Sequence, residues 1–94
     1  MKPNFEWDAD KTKANYRKHR ITFDEAATVF SDPFSITISD PDHSQDEQRQ
    51  IDIGFSDKGR LLVVIYTERG ANLRIISARR ATLREQRLYE ENAN

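Results

Sequence analysis

The chain has 94 residues, 36% of them hydrophobic and 33% charged, and its net charge is −1. That length supports one domain with a small core, not two. Disulfides and thiolate metal sites are excluded because there is no cysteine, and MKPNFEWDADK at the start lacks the apolar stretch of a signal peptide.

Phe5 and Trp7 alternate with polar neighbours in NFEW, which predicts a short strand. Asp8 is the expected N-cap of a helix running to about His19. Thr22 and Glu25 have the capping-box spacing ahead of EAATVF and predict a second helix to about Phe30, which Ser31-Asp32-Pro33 ends. The period then changes from 3.6 to two. FSITIS sets Phe34, Ile36 and Ile38 on one side of a strand, and after the polar loop DPDHSQDEQ, RQIDIGF sets Ile51, Ile53 and Phe55 inward. SDKG is a turn in which Gly59 takes positive φ. Leu61–Thr67 is apolar on both faces, as a central strand is, and Leu61–Ile65 is far too short to span a bilayer. ERGAN turns the chain into a further strand, Leu73–Ala78. Thr82 and Glu85 repeat the capping box and open a last helix to about Glu91. The expected fold is α+β: an antiparallel meander of about four long strands, a short N-terminal strand, two early helices and one late one. Three short connections imply the meander, and the helices are expected to cover one face and leave the other for function.

Charge is unevenly spread. Residues 1–20 are net +3, residues 21–68 net −7 and residues 69–94 net +3. If the two basic ends meet in space, they form one positive surface on a nearly neutral protein. Arg79 and Arg80 stand where the last strand gives way to a helix, and arginine grips phosphate bidentately. On an extended segment the two point to opposite sides; Arg80, Arg84 and Arg87 have the spacing of one helical face. Arg69 sits in the preceding turn and Arg74 in the strand itself. In NYRKHR, Lys18 and His19 complement a helix C-terminus. Lys11, Asn15 and Lys18 also form a strip that could contact RNA. Histidine is the usual proton carrier near neutral pH, which makes His43 a candidate. The loop around it fails as a calcium site, because Gln45 stands where glycine is needed and Ile51 where the bidentate glutamate is needed. Nucleotide-binding glycine motifs are absent. Trp7, Tyr16, Tyr66 and Tyr89 could stack on unpaired bases, although Trp7 with Phe5 suits a core.

The segments FEWD, NYRKH, FDEAATVF, DPDHS, IGFS, GRLLVV and RIISARRAT together resemble the BrnT family of toxins from type II toxin–antitoxin systems, over roughly residues 4–90. One departure is Arg20, where glycine is expected after Lys18-His19. The resemblance implies a RelE-like ribonuclease that inhibits translation and growth; arginines could do its work without metal or cofactor, and with no signal peptide or membrane span the expected location is the cytoplasm. The resemblance also implies a BrnA-like ribbon-helix-helix antitoxin, with two copies of each chain in the complex, through which alone operator DNA is contacted. On that reading Arg79 and Arg80 hold the phosphate, Glu68 or His43 moves the proton, and Arg49, Arg69, Lys18, His19 and Tyr66 bind RNA. The alternative is a non-catalytic RNA- or protein-binding module using the same arginine-rich surface.

Overall fold

The computed structural model describes residues 4–39 and 49–93. In chain order these form β1 (Asn4–Glu6), α1 (Ala9–His19), α2 (Phe23–Thr28), a 3₁₀ turn (Val29–Ser31), β2 (Ile36–Ser39), β3 (Arg49–Phe55), β4 (Leu61–Arg69), β5 (Asn72–Arg80) and α3 (Leu83–Ala93). The strands make one sheet in the order β1-β5-β4-β3-β2, with β4 in the middle. β2 to β5 form the expected antiparallel meander. β1 departs from it by pairing parallel to β5, so the sheet is mixed. A helical connection follows β1 in place of a hairpin, which frees it from the antiparallel pairing that tight turns impose.

The apolar residues of β4 alternate between two cores. Leu62 and Val64, with Ile75 and Ala78 of β5, pack against Ile21, Phe23, Ala26 and Val29 from the α1–α2 side. Val63 and Ile53 point the other way and pack against Tyr89 of α3. Each fully buried Leu, Ile or Val contributes about 1.5–3 kcal/mol. The expectation that all three helices share one face is therefore corrected: α3 lies on the second face. A central strand apolar on both sides needs a cover on both, and Ala81, between β5 and α3, already packs into the second core. β5 also runs two residues further than expected, so Arg79 and Arg80 belong to the strand. Phe34, expected inward, lies before β2 and is 57% exposed.

The 3₁₀ turn lies close over β3. A Cβ on Gly54 would sit 2.9 Å from Ser35 Cβ and 3.0 Å from Val29 Cγ1, so only glycine fits. Beside it Asp32 accepts hydrogen bonds from Phe34 N (2.9 Å), Phe55 N (2.8 Å) and the Tyr89 hydroxyl (2.7 Å), fastening α3 to the sheet. The Thr22–Glu25 capping box is only half made. Thr22 Oγ1 accepts from Glu25 N, but the Glu25 side chain is buried and takes Arg60 and the Ser56 hydroxyl instead. Burial pushes its carboxyl up, yet those hydrogen bonds outweigh it and hold the group below the usual carboxylate range.

α1 starts as expected, with the Asp8 carboxylate accepting from Asp10 N and Lys11 N. It ends on Arg20 at φ 61°, ψ 28°, the left-handed cap that glycine takes without strain. That conformation explains why glycine is expected there. Its cost for a residue with a Cβ is roughly 1 kcal/mol. Arg20 offsets part of it by placing its guanidinium 5.5 Å from the Tyr16 ring centroid. Arg20→Gly is expected to be more stable than Arg20→Ala by about 1 kcal/mol, roughly 4–8 °C in melting temperature for a domain of this size. Equal melting of the two variants would show that the cap is not strained.

Candidate active site

The register of the sheet arranges the second face in rows across the strands. The row under α3 is Ile36–Ile53–Val63–Arg79, and the next is Ile38–Ile51–Ile65–Ser77. A third row is Arg49–Thr67–Arg74, continued onto β1 by Glu6. α3 covers the first row through Tyr89. In the middle row Ile38 stays 40% exposed, and Ile51 and Ile65 are half-buried. The result is a shallow apolar step with cations on both sides. Arg49 and Arg74 flank buried Thr67 at roughly 10 Å from each other, and Arg79 lies two rows away, roughly 13 Å.

A β-bulge sets this arrangement. Ile65 pairs with Ser77 but the next residue, Tyr66, pairs with Ile75, which leaves Ile76 as an extra residue in β5. In a regular strand Arg74 and Arg79, five positions apart, point to opposite faces. The extra residue brings them to the same one.

Two carboxylates hold Arg69, Arg74 and Arg79. Glu6 Oε1 lies 3.9 Å from Arg69 Nε and 4.0 Å from Arg74 Nη1. Glu85 takes Arg79 bidentately, at 2.7 and 2.8 Å. The same carboxylate closes the expected capping box, accepting from Thr82 N at 2.8 Å while Glu85 N donates to Thr82 Oγ1 at 3.2 Å. The Arg79 hydrogen bonds therefore hold the Glu85 carboxyl at about 2, against the opposing effect of burial. A carboxylate depressed on folding stabilises the fold above its unfolded value and loses that contribution as pH falls through its folded one. The Glu85 contribution is thus complete above pH ~5 and disappears towards pH ~2; after solvent screening it is about 1–2 kcal/mol. Thermal melts from pH 7 to pH 3 are expected to fall more steeply for the parent than for Glu85→Gln. Parallel curves would remove Glu85 from the acid response.

The candidate residues divide among several places. Arg79, Arg49 and Arg69 share the second face. Arg80 pairs with Leu62 and so points to the first face, exposed. The arginine pair is split across the sheet as an extended segment requires, and Arg80, being in the strand, forms no helical stripe with Arg84 and Arg87. Glu68, opposite Leu73, is also on the first-face side, exposed at the hairpin end, roughly 17 Å along the strand from the Arg79 row. His43 lies outside the described residues. Lys18 and His19 line a groove of about 310 Å³ with Lys11, Ile76 and Ser77, at the margin of the second face. Asn15 stands in the same groove with Lys11 and Lys18, but it is only 8% exposed and its amide is bonded to β5. Tyr66 is corrected from stacking residue to core residue. It is 4% exposed, its ring stands edge-on to Phe30 at 4.9 Å, and its hydroxyl donates to Asp52 Oδ1 at 2.8 Å. Burial and that carboxylate push its phenol well above the usual range. Arg74 and Thr67 are the members of the face that sequence reasoning missed, because the bulge decides which way Arg74 points.

A family profile described as the ribonuclease toxin BrnT of type II toxin–antitoxin systems matches residues 7–85. The fold is similar to the crystal structure of the Brucella abortus ribonuclease toxin BrnT, with TM-score 0.63 and 24% identity, covering 85% of this chain and 97% of that one. No curated protein shows significant sequence similarity to the chain. Among the described residues no helix is long and apolar enough to cross a membrane.

Proposed function

Because the chain belongs to the BrnT family of ribonuclease toxins of type II toxin–antitoxin systems, we propose that it is an endoribonuclease that cleaves RNA on the open part of its second face, with arginines in place of a metal ion. The observation that carries this reading is the bulge-set register, which gathers Arg49, Arg74 and Arg79 around a half-open apolar row. RNA supplies its own nucleophile. The 2′-oxygen bonds to the adjacent phosphorus, the P–O5′ bond breaks, and a proton leaves the 2′-hydroxyl while another reaches the departing O5′. The products are a 2′,3′-cyclic phosphate and a 5′-hydroxyl. Fixed guanidinium groups favour the extra negative charge on the phosphoryl oxygens and hold the strand in line. Arg79 is assigned to the scissile phosphate, Arg49, Arg69 and Arg74 to its neighbours, and Ile51 and Ile65 to a base. Proton transfer is assigned to His43 or to Glu68, with His43 the stronger candidate because Glu68 stands on the other side of the sheet. A cognate BrnA-like antitoxin, two copies to two, is proposed to cover the arginine face with an acidic segment and to supply the ribbon-helix-helix contact to operator DNA.

The test is incubation of the purified chain with labelled RNA in excess chelator. Turnover to cyclic-phosphate ends, suppressed by the product of the neighbouring gene, is the expected result. RNA that shifts in a gel but stays intact would favour the non-catalytic binding module instead.

A further inference from the structure

Between residues 11 and 20 the chain has five cations, Lys11, Lys13, Arg17, Lys18 and Arg20, and no acid. The turn of the helix distributes them around its outward surface. Lys11 and Lys18 border the groove beside Ser77. On the opposite flank, where α1 meets the start of α2, Lys13, Tyr16 and Arg17 line a separate groove of about 410 Å³. Tyr16 is 45% exposed on the outer side of α1, whose inward residues here are Asn15 and Thr12. Arg20 lies over its ring at 5.5 Å and is not part of the groove wall, which leaves ring surface open to the groove. Lys13 and Arg17 are one turn apart, roughly 5–6 Å between Cβ atoms. Asp24 is the acidic residue of this groove.

We propose that the Tyr16 groove is an accessory site for single-stranded RNA, in which one unpaired base stacks on Tyr16 and the flanking phosphates meet Lys13 and Arg17. The inference rests on the ribonuclease reading and extends it: a strand leaving the arginine face passes Lys18 and Lys11, crosses α1 over Arg17, and ends on Tyr16. An aromatic ring among cations is what single-strand binding uses, since every base has a π-face and every nucleotide a charge. An acidic peptide fits less well, because it has no use for an open ring. The site gives the protein a preference for unpaired RNA long enough to span both faces of α1. It contributes to binding and not to the chemical step.

The experiment uses the full chain and a 12-nucleotide RNA made uncleavable by 2′-O-methylation, followed by fluorescence anisotropy, beside the cleavable 12-mer and a 4-mer. Tyr16→Leu is expected to weaken binding of the 12-mer about 5- to 150-fold, the usual worth of one stacked base. Tyr16→Phe is expected to bind as the parent does. Arg17→Gln should lower the slope of log affinity against log salt by about 0.7, one phosphate contact on a single strand. In cleavage, Tyr16→Leu should raise KM for the 12-mer with kcat unchanged and leave the 4-mer unaffected. Tyr16 is exposed, so melting temperatures should hold, and a variant that melts early is replaced by the reading from Arg17→Gln. If the parent cleaves and Tyr16→Leu binds and cleaves the 12-mer as the parent does, the accessory site is refuted while the ribonuclease reading stands. If that variant instead loses only the partner encoded beside it, the groove belongs to the protein partner and the proposal is likewise overturned. If the parent does not cleave RNA, the ribonuclease reading is what fails.

Discussion

Arg79→Ala is expected to lose about 10²–10³ in RNA cleavage rate, the usual loss when one preorganised donor to a developing oxyanion is removed. Arg80→Ala and Arg84→Ala should stay within a few-fold of the parent. The contrast between neighbours follows from the sheet. Arg79 lies on the second face opposite Val63, at the end of the row that α3 covers and with its side chain still 38% exposed, and Arg80 on the first face opposite Leu62. Arg79 is also preorganised. Glu85 grips both of its terminal nitrogens, and Glu85 is itself held by the α3 cap at Thr82. A guanidinium held this way loses little motion on meeting a phosphate. The same contacts mean that Arg79→Ala leaves a half-buried carboxylate without its cation, which costs roughly 1–2 kcal/mol of stability. Adding Glu85→Gln separates the two effects. The double variant should melt closer to the parent and remain as inactive as Arg79→Ala. Recovery of activity along with stability would make Arg79 structural. Equal losses in Arg79→Ala and Arg80→Ala would mean that the sheet does not choose between them.

Much of this fold was legible because its signals are local. Asp8 and Thr82 cap helices through their own neighbours, and β3 begins and ends where its two-residue period does. The doubly apolar Leu61–Thr67 placed β4 at the centre of the sheet. It also held the clue to α3, since two apolar faces need two covers, but nothing local says which helix goes where. The candidate site was harder to read for the same reason. Side-chain direction in a strand depends on counting by two, and one bulged residue, Ile76, reverses the count for everything before it. Arg74 therefore joined the face, whereas Glu68 lies in β4, which has no extra residue, and falls on the first-face side by plain alternation from Leu62. Tyr66 shows the limit from the other side. An aromatic on a central strand suits a base or a core equally, and the partner that settles it, Asp52, is 14 residues distant. The match of basic N- and C-terminal segments did survive as geometry. α1 packs along β5, so Lys11 and Lys18 stand beside Ser77 and close to the arginine face.

That packing depends on one side chain. Among the described residues β1 covers only Asn72–Arg74 of β5, and no strand lies beside the outer edge of β5 beyond Arg74. An open edge is a row of unpaired amide groups and a site for unwanted pairing. Asn15 of α1 takes the place of the missing strand. Its Nδ2 donates to Ala78 O at 2.8 Å and to Ile21 O at 2.9 Å, and its Oδ1 accepts from Ala78 N at 3.2 Å. All three bonds are buried. Asn15→Ala would leave one amide and two carbonyl groups unpaired away from water, each costing about 1–3 kcal/mol. Partial relaxation brings the expected total to roughly 3–5 kcal/mol, or about 15–25 °C in melting temperature for a domain of this size. Asn15→Asp tests the direction of the bonds. A carboxylate keeps the acceptor for Ala78 N but turns negative charge on two carbonyl oxygens, so at neutral pH it should be no better than alanine. Lowering the pH protonates it, restores one donor, and should recover part of the loss, whereas Asn15→Ala shows no such recovery. Hydrogen exchange gives the local reading: the Ala78 amide, protected in the parent, should exchange far faster in Asn15→Ala than the amides of β4. A loss below about 1 kcal/mol, with Ala78 still protected, would mean that apolar contacts alone hold α1 on the sheet and that the amide is incidental.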